Sequence, residues 1–306
     1  MSAAERPLEI RLPALDRFAA THPLRRLLAR ADRLADSARG GLDGLAAYFD
    51  AGVVPLPVAA LTREQLAGDA GDATWLCADP GWVQPDMGGA RLLACGRMQL
   101  SMAEAHALVD ALRPVFDEAG MRLEASSTER WHLRLPAAVE LPAFATPEQA
   151  LGEDLFAYLP QGREGRRWRL LFNEAQVLLH QHPLQAARTA RGLPPVSCLW
   201  LWGAGRLPGQ VRSPLAGVVG DDPLLQALAA QAGVPQVAYT PANIGTAAAG
   251  WLVDLQDVPA DDLAYGIWPS LQVLARRQPV CFAFAGGERW LHRPSHRWRY
   301  WRRGRG

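Results

Sequence analysis

The residues best placed to do chemistry sit around Gly203-Ala204-Gly205, which follows the apolar run Val196–Trp202 and is flanked by Arg188, Arg191 and Arg206. Arginine holds phosphate or carboxylate through paired N–H donors and needs no further chemistry to do so. The group therefore predicts a contact for a small anion. A dinucleotide site would need a helix next, because its amino-terminal N–H groups hold the pyrophosphate. Arg206-Leu207-Pro208-Gly209 follows instead, which leaves a structural strand-end turn or a bare anion nest. His180 and His182 are two residues apart, so on a helix they face different ways and cannot share a metal. Asp221-Asp222-Pro223 reads as a helix cap with proline at the first helical position. Asp254 ends a predicted strand, where α/β sites gather, but no partner for it is visible in the sequence.

Other chemistries are excluded by what is missing. All 32 basic residues are arginine, which removes Schiff-base lysines, a P-loop lysine and Ser–Lys dyads. No G-x-S-x-G nucleophile elbow occurs. The four cysteines, Cys77, Cys95, Cys198 and Cys281, lack C-x-x-C spacing and read as buried free thiols of a reducing cytoplasm. The first residues, Met1 to Arg6, lack the apolar stretch of a signal peptide. The long uncharged run from Pro223 to Val253 is broken by Pro235 and Pro241, so no membrane span is expected. Seven arginines and the aromatics Trp290, Trp298, Tyr300 and Trp301 fill residues 289–305. That mixture suits a single-stranded nucleic-acid platform, yet Arg297-Trp298-Arg299-Tyr300 also alternates as a half-buried strand does. With a formal charge of +1 over 306 residues, nucleic-acid binding is not expected.

The elements that would position these residues follow from pattern. Leu8–Leu12 reads as extended, and His22–Ala38 as an arginine-rich helix with Leu24, Leu27, Leu28, Ala31 and Leu34 on its apolar face. Thr74–Ala78 reads as a strand stopped by Asp79-Pro80. Ser101 and Glu104 form a capping box ahead of a helix, which Gly120 ends; strands at 121–124 and 131–135 follow. Residues 137–169 are rich in proline and glycine and form a linker or active-site-like loop. Leu170–Arg191 reads as one long helix closed by Gly192. The run Val196–Trp202 reads as a strand buried on both faces. Strands at 215–219, 236–239 and 251–255 alternate with helices at 223–232 and 261–277, as in an α/β sheet. Segments 280–285, 289–293 and 297–301 predict a carboxy-terminal β-meander.

The pattern Asn173-Glu174 … His182-Pro183 … Arg188 … Arg191-Gly192 … Trp200-Leu201-Trp202-Gly203-Ala204-Gly205 resembles the bacterial RpfE-type regulatory proteins. The resemblance takes in Ala78-Asp79-Pro80 and Trp298–Arg302 and covers most of residues 75–302, although Leu184-Gln185 stands where those relatives have Val-Asn. More distantly, the chain resembles archaeal-type cofactor-independent phosphoglycerate mutases of the alkaline-phosphatase superfamily. That resemblance implies an α/β fold: a mixed sheet flanked by helices, an alkaline-phosphatase-like core with an α+β lobe, and the meander. The division it suggests is 1–70 for the first part of the core, 71–160 for the lobe and 161–306 for the main core.

Such mutases carry phosphate on a serine and hold two metal ions with clustered Asp and His. Here the single Asp43-Gly44 pair follows no strand, and no histidine occurs between Asp254 and His292. The expectation is a mutase scaffold without its reaction centre: a regulatory or binding protein with no catalytic residue, metal or cofactor. Its ligand would be a small phosphorylated or carboxylated metabolite, held among Asp79, Asn173, Glu174, His182, Arg188, Arg191, Gly203, Gly205 and Arg206. The competing expectation is a working metal-dependent mutase or phosphatase with ligands drawn from Asp79, Asp86, His182, Asp221 and Asp254.

Overall fold

The computed structural model describes residues 6–86, 89–259 and 262–299. In chain order the first elements are β1 (Leu8–Leu12), α1 (Pro23–Arg30), β2 (Asp32–Arg33) and α2 (Gly41–Ala46). Next come α3 (Val58–Ala67), β3 (Thr74–Asp86), β4 (Gly89–Cys95), α4 (Met102–Glu118), β5 (Arg122–Ala125) and β6 (Trp131–Leu135). Two short helices, α5 (Pro147–Ala150) and α6 (Leu155–Tyr158), lead to α7 (Gly165–Gln181), α8 (Leu184–Ala190) and β7 (Cys198–Gly205). The last third holds β8 (Gly217–Val219), α9 (Pro223–Gln231), β9 (Gln236–Val237), α10 (Pro241–Thr246) and β10 (Trp251–Asp254). It ends with α11 (Trp268–Arg277), β11 (Val280–Phe284) and β12 (Arg289–His292).

The chain forms two compact units, 1–52 with 210–306, and 53–209. These limits differ from the 1–70, 71–160 and 161–306 division drawn from the sequence. The reason is pairing: β7 joins β3 in one antiparallel sheet, and α3 packs on both, so residues on either side of the expected limits share one core.

The discontinuous unit is a mixed α/β structure. Its seven-stranded sheet runs β2-β12-β11-β1-β10-β8-β9, with β11, β1, β10, β8 and β9 parallel. Leu8, Ile10 and Leu12 point into a core with Leu24 and Leu28 of α1 and Leu271 and Leu274 of α11. The expected carboxy-terminal meander is present only as the β11–β12 hairpin. Its third strand is β2, because Pro294–Trp298 winds into a 3-10 turn rather than extending; residues 300–306 lie outside those described.

The continuous unit holds a five-stranded antiparallel sheet, β4-β3-β6-β5 with β7 on β3. Its core joins Leu108, Leu112 and Phe116 of α4 to Trp168 and Leu171 of α7 and Trp131 of β6. Ser101 and Glu104 form the reciprocal capping box that starts α4. No helix among the described residues is long and apolar enough to cross a membrane.

Cys77, Cys198 and Cys281 are buried and Cys95 is half-buried, all as free thiols. Burial pushes Cys77 and Cys281 up to about 12. Since the thiolate is the reactive form, the native protein is expected to give no fast reaction with a thiol reagent at mildly alkaline pH. All four cysteines should react after denaturation; titration with a chromogenic disulfide checks this.

Candidate functional site

In the continuous unit the Gly203-Ala204-Gly205 segment does not turn away from the strand but continues it, as the last three residues of β7. Gly203 has φ +65°, and a Cβ there would meet the Val58 side chain at 2.9 Å; one on Gly205 would meet Pro57 Cβ at 2.5 Å. The two glycines thus let β7 approach the start of α3. Close backbone packing, not an anion nest, accounts for them.

Asp79 is 2% exposed. It accepts hydrogen bonds from Trp202 Nε1 at 2.8 Å and the Trp131 amide at 3.3 Å, and pairs with Arg130 at 3.4 Å. Burial pushes its carboxyl up, against the opposing pull of Arg130. These bonds tie β3, β6 and β7 together, which is a structural task.

The expected long helix is two helices. Pro183 disfavours helical geometry in the residue before it, and His182 is extended, with φ −72° and ψ 131°. Its Nδ1 accepts from the Leu184 amide at 3.2 Å and so caps α8. Asn173 and Glu174 lie on the exposed side of α7. Arg188 is fully buried and donates to the carbonyls of Met98 at 2.5 Å and Pro194 at 3.0 Å. Arg191 pairs with Glu104, the capping-box acid of α4. Arg206 donates to Thr74 Oγ1 at 3.1 Å.

The expected arginine cluster is therefore not assembled. Arg188 and Arg191 lie on and just after α8, ahead of β7, and Arg206 follows its far end, each bonded to a different part of the unit. The expectation failed because it bent the chain at Gly203, where the strand runs on.

The discontinuous unit has the geometry in which α/β proteins place ligands. From β8 the chain leads outward through α9 to β9, whereas from β10 it leads the other way through α11 to β11. Adjacent strands β8 and β10 thus form a topological switch point, whose carboxyl-end crevice is the usual ligand site. Gly220 and Asp254 meet there, since a Cβ on Gly220 would lie 3.4 Å from Asp254 Cβ.

A guanidinium from the next strand occupies this edge. Arg11 Nη1 donates to Asp254 Oδ2 at 2.7 Å, and Nη2 donates to Gln256 Oε1 at 2.7 Å and the Gly41 carbonyl at 2.5 Å. The Arg11 and Asp254 side chains are only 2% and 10% exposed. Gly44 belongs to this packing, because a Cβ there would come within 3.0 Å of Arg11 Nη2. Burial pushes the Asp254 carboxyl up and Arg11 opposes that shift. Two residues away along β1, Glu9 accepts from the Tyr48 hydroxyl at 3.1 Å and lies 3.6 Å from Arg289.

Sequence reasoning missed Arg11, although a signal existed. A charge inside an apolar strand such as Leu-Glu-Ile-Arg-Leu must find a buried partner, and Asp254 was the acid lacking one.

The other acids here are also committed. Asp221 Oδ1 accepts from the Tyr239 amide at 3.0 Å, and Asp222 Oδ1 accepts from the Leu225 amide at 2.9 Å as the cap of α9. Asp86, in the continuous unit, pairs with Arg91 at 2.8 Å. Among the described residues no three or more of His, Cys, Asp and Glu are grouped to hold a metal ion. The set Asp79, Asp86, His182, Asp221 and Asp254 does not fit a two-metal centre.

Within 137–169, Val139, Glu140, Arg163, Glu164, Arg167 and Trp168 line an open concavity of about 700 Å³. Arg167 Nη2 donates to the Ala119 carbonyl at 2.6 Å, and Trp168 Nε1 to the Glu140 carbonyl at 3.4 Å.

No family model matches the chain. It is distantly homologous, over short segments, to 2,3-bisphosphoglycerate-independent phosphoglycerate mutases. It is 34% identical to that of Methanosarcina mazei over 62 residues, which is 20% of this chain and 16% of the relative. To phosphoglycerate mutase 2 of Methanothermobacter thermautotrophicus it is 28% identical over 110 residues, 36% of this chain and 27% of the relative. The matched part thus spans about one sixth to one quarter of these curated relatives. Among solved structures, the cofactor-independent phosphoglycerate mutase of Thermoplasma acidophilum is 15% identical, with a TM-score of 0.41 over 94% of this chain and 90% of that one. The PH0037 protein of Pyrococcus horikoshii is 12% identical, with a TM-score of 0.45 over 94% and 86%.

Proposed function

We propose that the chain is a catalytically degenerate, phosphoglycerate-mutase-like protein with a core of the alkaline-phosphatase type. In this reading it binds a small phosphorylated or carboxylated metabolite in the cytoplasm and acts as a regulator rather than turning the metabolite over. The observation that carries the reading is the Arg11–Asp254–Gln256 network at the switch point. It commits to a side-chain cation the carboxylate best placed to hold a catalytic one. The short homology to mutases supports the ligand class. With the arginines around β7 dispersed, the concavity bearing Arg163 and Arg167 is the place assigned to the anion.

Calorimetry with 3-phosphoglycerate is expected to show saturable heat, and Arg163→Gln with Arg167→Gln should weaken binding about tenfold or more, the worth of one charge-assisted hydrogen bond. Absence of heat at millimolar ligand removes the binding role. Mutase turnover above buffer, with or without added Mn²⁺, removes the non-catalytic one.

A further inference from the structure

The arginine–tryptophan stretch near the carboxyl end is not explained by that role. We propose that the surface formed by α1, β2 and the Pro294–Trp298 turn binds single-stranded nucleic acid, with Trp298 as the ring on which a base stacks.

The whole-chain charge of +1 conceals a marked asymmetry. Residues 289–306 contain seven arginines and no acid, leaving the rest of the chain net acidic. Of these arginines, Arg293 and Arg299 meet the amino-terminal segment at Asp32. Arg299 bonds Asp32 Oδ1 at 2.5 Å and the Arg30 carbonyl at 3.1 Å, and Arg293 reaches Asp32 Oδ2 at 3.0 Å. Arg33 lies 4.3 Å over the Trp290 ring and pairs with Asp36 at 2.5 Å. Arg26 and Arg30 are four residues apart on α1, hence on one face. Three guanidinium groups, at 33, 293 and 299, thus contact the two carboxylates of Asp32 and Asp36, while Arg26 on α1 and Arg297 on the turn are exposed. The excess of positive charge favours a polyanion.

The aromatic component selects among polyanions. Because Pro294–Trp298 is a 3-10 turn and not a strand, Trp298 is 57% exposed instead of facing a core. The Arg297 guanidinium lies 5.0 Å from its ring centroid. A guanidinium beside an exposed indole is the pairing that stacks unpaired bases. Bilayer binding would call for an apolar face beside the charge. Among the described residues of this unit, Trp298 and Val273 are the exposed large apolar side chains, which is too little to insert. A duplex keeps its bases stacked on each other and offers the ring no face.

The test measures anisotropy of labelled oligonucleotides of about 15 nucleotides with the full chain at roughly 50 and 200 mM salt. Single strands are expected to bind more tightly than the matching duplex, and more weakly as salt rises. Trp298→Ala should lower single-strand affinity about 5- to 100-fold, while Trp298→Phe keeps most of it. Arg26→Glu with Arg297→Glu should reduce the salt slope by about 0.7 for each phosphate no longer neutralised. Circular dichroism melting confirms that the exposed-site variants stay folded. The proposal is overturned by no binding, by equal affinity for the duplex, or by indifference to Trp298→Ala. Tighter capture by phosphatidylserine vesicles or polyglutamate overturns it too.

Discussion

Arg11→Ala should cost about 3–5 kcal/mol of stability, because it leaves a buried carboxylate without its cation. Asp254 would keep one backbone donor, the Gln256 amide at 3.2 Å, which does not replace a charge pair 2.7 Å long. The double variant Arg11→Leu with Asp254→Leu should recover much of the loss, since apolar residues of similar volume often replace a buried pair without penalty. Urea denaturation at neutral pH measures both. Hydrogen exchange should place the lost protection in the unit containing β1 and β10. A single variant weakened by less than about 1 kcal/mol, the range of an exposed ion pair, would show that water reaches this edge and would undercut the non-catalytic reading.

The second large effect is acid lability in the other unit. His132 is fully buried; burial first, then the positive charges of Arg130 and Arg63, push its pKa down to about 3. Thr62 Oγ1 donates to the Val58 carbonyl at 2.7 Å, so it accepts from His132 Nε2–H at 2.9 Å. Nδ1, 2.7 Å from Ser126 Oγ, is then the acceptor, and the ring is neutral. An unfolded histidine titrates near 6.5. Between these values the unfolded state binds the additional proton, so stability is intact above about pH 6.5 and falls as pH drops. The slope is about 1.4 kcal/mol per pH unit, giving a loss of about 3 kcal/mol by roughly pH 4.5. His132→Gln removes the titration, so its stability should be flat across that window where the parent's declines; an unchanged slope would refute the assignment. His292, whose pKa burial pushes down to about 4, gives the unit containing β12 a parallel but smaller sensitivity.

Much of the fold was legible where a local signal has one physical meaning. Ser101 and Glu104 start α4 because their reciprocal bonds satisfy amide groups that no helix can satisfy internally. Apolar alternation and runs located the five mutually parallel strands of the mixed sheet, but β2 falls inside the stretch 22–38 that read as one helix, which ends at Arg30. Other signals were ambiguous. Asp79-Pro80 should stop a strand, yet β3 runs through it to Asp86. On one edge β3 exchanges β6, paired as far as Cys77, for β4, paired from Gly81. Pro80, whose carbonyl accepts from Gly96, sits in that gap, where no amide is needed. The run ending in Trp202 was correctly read as buried on both faces, but burial does not distinguish a parallel strand from an antiparallel one covered on both sides. The candidate site was least legible because Arg11 and Asp254 are 243 residues apart, and no spacing rule links them.

The placement of β1 bears on how the chain is made. Its partners are β10 and β11, with Glu9 registered against Leu252 and Cys281, while residues 53–209 form a continuous unit. Pairings of such long sequence separation form slowly, and domains fold as units during synthesis. The inserted unit is thus the portion a nascent chain completes first on the ribosome. Strand β1 must wait unpaired until β10 and β11 have been synthesised, which makes it the segment most in need of a chaperone.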